Sequence, residues 1–140
     1  MNDYIEAMVW INLSQRDHDI AVHLQKTFIP LPIETICFHC QQAVEKALKA
    51  VLAYYEADIV YTHNIRALAE LCKAHTGVEF LDNKVVDTIT AFAVITRYVE
   101  DRRDYTEDTA KFALKQANIA LEAVKQFLKK SEAEQNAPPH

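Results

Sequence analysis

A single glycine, Gly77, occurs in the 140 residues of this chain. With so little glycine, phosphate cradles of the Walker or dinucleotide type are ruled out, and turn-rich β sandwiches, collagen and low-complexity linkers go with them. Proline is also scarce: two of the four, Pro138 and Pro139, sit in the last three residues. No uninterrupted run of about 20 apolar residues occurs, and the opening MNDYIEAMVW has acids where an export signal has basic residues, so no membrane span and no secretion are expected. Three cysteines, an odd number, fit a reducing, cytoplasmic setting better than a disulfide framework. The net charge of −5 excludes a surface that clings to nucleic acid everywhere through counterion release, leaving room only for a local basic patch.

Half of the residues are apolar and a quarter charged, the balance of a globular protein of one domain. The apolar residues recur at helical spacing. From Asp3 to about Thr27, Ile5, Met8, Val9, Leu13, Ile20, Ala21 and Leu24 predict an amphipathic helix, with Asp17 placing an acid near its inner face. Pro30 and Pro32 end it. A second helix, from near Pro32 to about Glu56, has the clearest seam: Cys37, Cys40, Val44, Ala47, Val51 and Tyr54, with Glu45 and Lys49 as a favourable i,i+4 pair. Thr62 is the expected N-cap of a third helix carrying Ile65, Leu68 and Leu71, with Gly77 beyond its end.

A fourth helix follows Asp82, burying Val85, Val86, Ile89, Phe92, Ala93 and Thr96. The charged segment from Val99 to Tyr105 interrupts the pattern. Thr106 then caps a fifth helix whose seam, Ala110, Ala113, Ala117, Ala120, Val124 and Phe127, is small at the start and large at the end. The expected fold is all-α, an antiparallel up-and-down bundle of four long helices plus one shorter helix over residues 1–130, with a flexible tail over 131–140.

Among chemical candidates, Cys37-x-x-Cys40 and Cys72-x-x-His75 have the pair spacing of a zinc site. The first pair lies on the apolar seam of a helix, where free cysteine behaves as a small hydrophobe, so no metal is assigned. The same placement, with no strand before it, disfavours a thioredoxin-like redox pair. A polar row on the second helix, His39, Gln42, Lys46 and Lys49, falls within about 80° of the helical wheel and offers two ammonium groups and neutral donors to an anion. A solvated helix face is the other reading of such a row. Arg97 follows Ala93 by four and projects from the edge of the buried face. It either pairs with Asp17 or, with Tyr98 beside it, grips a phosphate and stacks a base.

Three stretches carry a family resemblance. Cys40-Gln-Gln-Ala-Val-Glu-Lys-Ala-Leu-Lys-Ala50 resembles the Gln-Gln-Ala-x-Glu-Lys-x-Leu-Lys-Ala helix of the HEPN-domain family, the higher eukaryote and prokaryote nucleotide-binding domains. Thr62-His-Asn-Ile-Arg-Ala-Leu68 is similar to the family's Thr-His-Asp-Leu-x-x-Leu turn, and Arg97-Tyr98 to the start of its Arg-Tyr-Pro element, with Val99 in place of the proline. The likeness runs in order over about residues 5 to 130.

The resemblance implies a helical bundle, usually a homodimer, in a bacterial or archaeal cell, often encoded beside a minimal nucleotidyltransferase with which it forms a toxin–antitoxin pair. It implies nucleotide or RNA-phosphate binding, with Lys46, Lys49, Arg97 and Tyr98 as contacts to phosphate and base. The Arg-x(4–6)-His signature of the family's ribonucleases is absent, because positions 102 to 104 hold Arg102, Arg103 and Asp104. Arginine does not exchange a proton near neutral pH as histidine does. The expectation is therefore a binding module with no catalytic residue, no cofactor and no metal. A ribonuclease with a degenerate site, drawing on His39 or His63, is the alternative, and a bundle that dimerises without a small ligand is the third reading.

Overall fold

The computed structural model describes residues 2–58, 64–92 and 105–139. Five helices pack together: α1 (Tyr4–Thr27), α2 (Ile33–Tyr54), α3 (Ile65–Thr76), α4 (Asn83–Ala91) and α5 (Glu107–Gln135). No strand occurs among the described residues, and none of their helices is long and apolar enough to cross a membrane. The all-α bundle expected from the apolar periodicity is what forms.

Local chemistry sets the ends of these helices. Asp3 caps α1 by accepting from the Glu6 N–H at 2.9 Å, and Asp82 caps α4 by accepting from the Lys84 N–H at 2.8 Å. α3 is capped by Asn64, whose side chain accepts from the Ala67 N–H, so the cap lies two positions after the expected Thr62. Asparagine meets the same need as threonine there, a short side-chain oxygen over the first free N–H groups. Gly77 closes α3 in the left-handed region, φ 73°, and its N–H reaches the Lys73 carbonyl at 2.7 Å. Thr106, in extended backbone, starts α5 with its N–H donating to Thr109 Oγ1 at 3.0 Å.

α2 is the central element. Its predicted seam of Cys37, Cys40, Val44, Ala47, Val51 and Tyr54 is wholly buried, and so are most of its other residues, because α1, α3 and α5 all pack on it. α1 runs antiparallel to it: Asp3 N–H donates to the Tyr54 carbonyl (2.8 Å) and Ser14 Oγ to the Ala43 carbonyl (2.6 Å), so numbers rise on one helix as they fall on the other. α5 is antiparallel to α1, with Asn2 on Gln135 and Gln15 on Lys125. It therefore runs parallel to α2, and Tyr54 Oη donates to Glu132 Oε2 where both helices end. The alanine-lined start of α5, Ala110 to Ala120, is fully buried, as its spacing predicts.

α1 departs from expectation. Its buried residues are Ala7, Ile11, Ser14, Asp17 and Ala21, whereas Ile5 (81%), Val9 (48%) and Ile20 (37%) stay exposed. Of the expected inner face only Ala21 is fully covered; Met8 and Leu24 are partly buried. The physical reason is size. Ala7, Ser14 and Ala21 are spaced by seven, two helical turns, and this ridge of small side chains brings α1 close enough to α2 for a hydroxyl to reach a main-chain carbonyl.

α5 also corrects the expected tail. The helix continues to Gln135, and Tyr54 reaches Glu132 and Gln135, so residues 131–135 belong to the bundle. In α4, Val86, Ile89 and Phe92 are buried as expected, while Ala93 and Thr96 lie outside the described residues.

Candidate functional site at the α1–α2 seam

Asp17 comes from the buried ridge of α1 and is 7% exposed. A carboxylate at that depth needs partners to replace its water. α2 supplies two: His39 Nδ1 at 2.9 Å from Oδ1, and Lys46 Nζ at 2.5 Å from Oδ2. His39 and Lys46 are seven positions apart and so share a face of α2. The lysine arm leans toward the helix N-terminus, as side chains on a helix do, and so comes to the carboxylate that His39 also meets.

An ionised carboxylate only accepts, so the His39 proton facing Asp17 sits on Nδ1. Nε2 then lies on the far side of the ring from Asp17. The His39 and Lys46 side chains are each about a quarter exposed, 23% and 25%. They form the rim of the cluster and Asp17 its floor. Gln42 lies between them on the same face and donates to Gln41 Oε1 at 2.8 Å.

The polar row on α2 thus divides. His39, Gln42 and Lys46 reach the mouth of the seam. Lys49 turns inward, its Nζ 3.2 Å from Glu45 Oε2 and 5.6 Å from the centre of the Trp10 ring. A buried ammonium held by a carboxylate and an indole face is well compensated there, and it has little left for an outside anion. The Glu45–Lys49 pair was legible from its spacing; its burial was not. Arg97 and Tyr98, and with them the expected Asp17–Arg97 pair, lie outside the described residues.

Sequence reasoning placed Asp17 facing inward but did not find its partners on α2. The signal was present: folding the chain back about the Phe28–Pro32 turn sets residue 17 across from residues near 40. The cysteines are core residues. Cys37, Cys40 and Cys72 are buried and unpaired, and Cys72 Sγ donates to the Leu48 carbonyl. Burial pushes the Cys37 and Cys72 thiols up to about 12 and raises Cys40 too, with Cys37 and Asp17 adding to the effect there. His75 stacks on Tyr55. Among the described residues no group of three His, Cys, Asp or Glu side chains is arranged to hold a metal ion.

Fold and site together define an all-α bundle with a carboxylate–imidazole–ammonium cluster at the seam of its first two helices. The family model described as HEPN domain matches residues 8–127. The chain belongs to the HEPN family, and a nucleotide- or RNA-related function goes with that membership. No curated protein and no solved structure matches it.

Proposed function

We propose that the protein is a HEPN-type module that binds the phosphate of a nucleotide or RNA at the mouth of the α1–α2 seam, through His39, Gln42 and Lys46, with Arg97 and Tyr98 as the further contacts the family resemblance implies. The observation that carries this reading is the Asp17 cluster. Asp17 holds the His39 ring and the Lys46 ammonium in place from behind, so an imidazole, the Gln42 amide and an ammonium stand together at the mouth for an arriving phosphate.

Calorimetry with ATP, AMP and a short RNA near pH 7 tests this. The expected result is binding that is lost in Lys46→Met and weakened in His39→Ala. No heat for any of the three ligands contradicts it and favours a bundle that binds no small ligand.

The biological setting follows the same family. The module acts in the cytoplasm as a homodimer with a minimal nucleotidyltransferase partner, as a toxin–antitoxin-like pair. The exposed Ile5, Val9 and Ile20 on α1 support self-association, because apolar side chains on one helix face gain by being covered. Sedimentation at micromolar concentration tests it: a species at the 16.0 kDa monomer mass argues against the dimer.

A second reading, ribonuclease activity without the family signature, is favoured by one feature. A carboxylate behind Nδ1 with Nε2 facing outward is how a general base is oriented. RNA cleavage by the wild-type chain that vanishes in His39→Ala is the outcome that supports it.

A further inference from the structure

A second concave site lies on the other side of α1, where it meets α5. This groove encloses about 270 Å³. Its floor is apolar, made by Tyr4, Met8 and Ile11; its rim is polar, made by Asn12 and Gln15 from α1 and by Lys125 and Lys129 from α5. No acid lines it, in a chain with 20 acidic residues and a net charge of −5. A comparable cavity of about 250 Å³ between α3 and α4 differs on this point. There Arg66 is spent on Asp87 and Asn83, Lys73 on Glu79, and Glu70 adds a further negative charge.

The groove's two lysines have different duties. Lys125 donates to the Gln15 side-chain carbonyl and lies 3.3 Å from Glu122 Oε1, so it closes one end of the groove. Lys129, one turn further along α5, makes no hydrogen bond or ion pair with any described residue, and neither does Asn12, which lines the same groove. An ammonium and an amide with no partner among the described residues thus line one groove above an apolar floor. From Asn12 back to Tyr4 is eight residues of helix, about 12 Å at the usual rise.

We infer that the α1–α5 groove is a binding site for a small amphipathic anion, an apolar chain with a single carboxylate head. The head is held by Lys129 and Asn12, and the chain lies along Met8 toward Tyr4. The arrangement follows the general form of small-ligand sites, a mostly apolar concavity with a few fixed polar groups at one place. It is separate from the Asp17 cluster, which α1 directs toward α2.

Methionine makes the test direct, since the chain has two, Met1 and Met8. With ¹³C-methyl methionine, octanoate below its micellar concentration and at low salt is expected to shift the Met8 signal saturably. Octylammonium and inorganic phosphate are expected to leave it in place, one lacking the negative head and the other the chain. Lys129→Glu, an exposed substitution that leaves the fold intact by circular dichroism, is expected to weaken octanoate about tenfold or more, the worth of one charge-assisted contact. A Met8 signal indifferent to octanoate overturns the proposal. So does an equal response to octylammonium, or an unchanged titration in Lys129→Glu.

Discussion

Replacing Asp17 by alanine removes the floor of the seam cluster, and its cost can be worked from the geometry. Two hydrogen bonds involving charged groups are lost, each worth roughly 1.5–3 kcal/mol when both partners are buried. The His39 and Lys46 side chains are 23% and 25% exposed, however, and each turns to water once the carboxylate is gone. Halving the sum for that recovery gives a net loss of about 1.5–3 kcal/mol. Lys46→Met, which leaves Asp17 its bond to His39, is expected to cost about 1 kcal/mol. The Asp17→Ala/Lys46→Met cycle is expected to show a coupling of about 1 kcal/mol. Urea unfolding followed by helical circular dichroism reads all three, the Asp17→Ala midpoint falling by about 1 M. Because the acceptor is buried, the coupling is expected to persist at about 0.5 M salt, where an exposed pair would be screened. A midpoint unmoved by Asp17→Ala, or a coupling of zero, refutes the claim that the three side chains act as a unit.

Other outcomes follow from the packing. Ile11→Ala on the buried ridge of α1 is expected to cost about 2–4 kcal/mol and Ile5→Ala less than about 0.5 kcal/mol, measured in the same urea assay; equal effects would return α1 to the orientation its hydropathy suggests. Burial holds the His18 imidazole below its ordinary 6.5, with Asp19 opposing and Lys125 adding to the shift. The unfolded chain therefore takes up that proton first, so the stability from neutral His18 is complete above pH 6.5 and is lost as pH falls through the folded value. His18→Gln is expected to flatten the decline in unfolding free energy between about pH 7 and 5, and an unchanged slope would contradict it. The three thiols, raised by burial, are expected to react with a thiol reagent at pH 8 only as fast as the chain opens, so labelling tracks urea and not reagent concentration.

How legible each element was depends on what packs it. The seams of α2 and the start of α5 were readable because apolar side chains at helical spacing are also the ones that become buried. The face of α1 is less legible because the contact with α2 selects for smallness: Ala7 and Ser14 give a weaker apolar signal than Ile5 and Val9, which lie outside, while Ala21 is buried where its spacing puts it. The polar residues at the end of α5 read as a tail; Glu132 and Gln135 stay in the bundle through the Tyr54 hydroxyl, a contact made from 78 and 81 residues away. At the site, residue types and face were legible for His39, Gln42 and Lys46. Their common partner was not, since Asp17 belongs to another helix and only the register of the α1–α2 hairpin brings it there. Lys49, at the edge of the same row, differs by its depth, where Glu45 and Trp10 meet it.

The central claim is that phosphate is received at the mouth of the α1–α2 seam by an imidazole oriented from behind by Asp17. Its most direct test is to follow the His39 ring signals by NMR during titration with AMP at pH 7. The account predicts that the ring resonances move saturably, with the midpoint of the calorimetric curve, and that Asp17→Asn abolishes the movement. A His39 ring that stays unchanged while the nucleotide binds would contradict it.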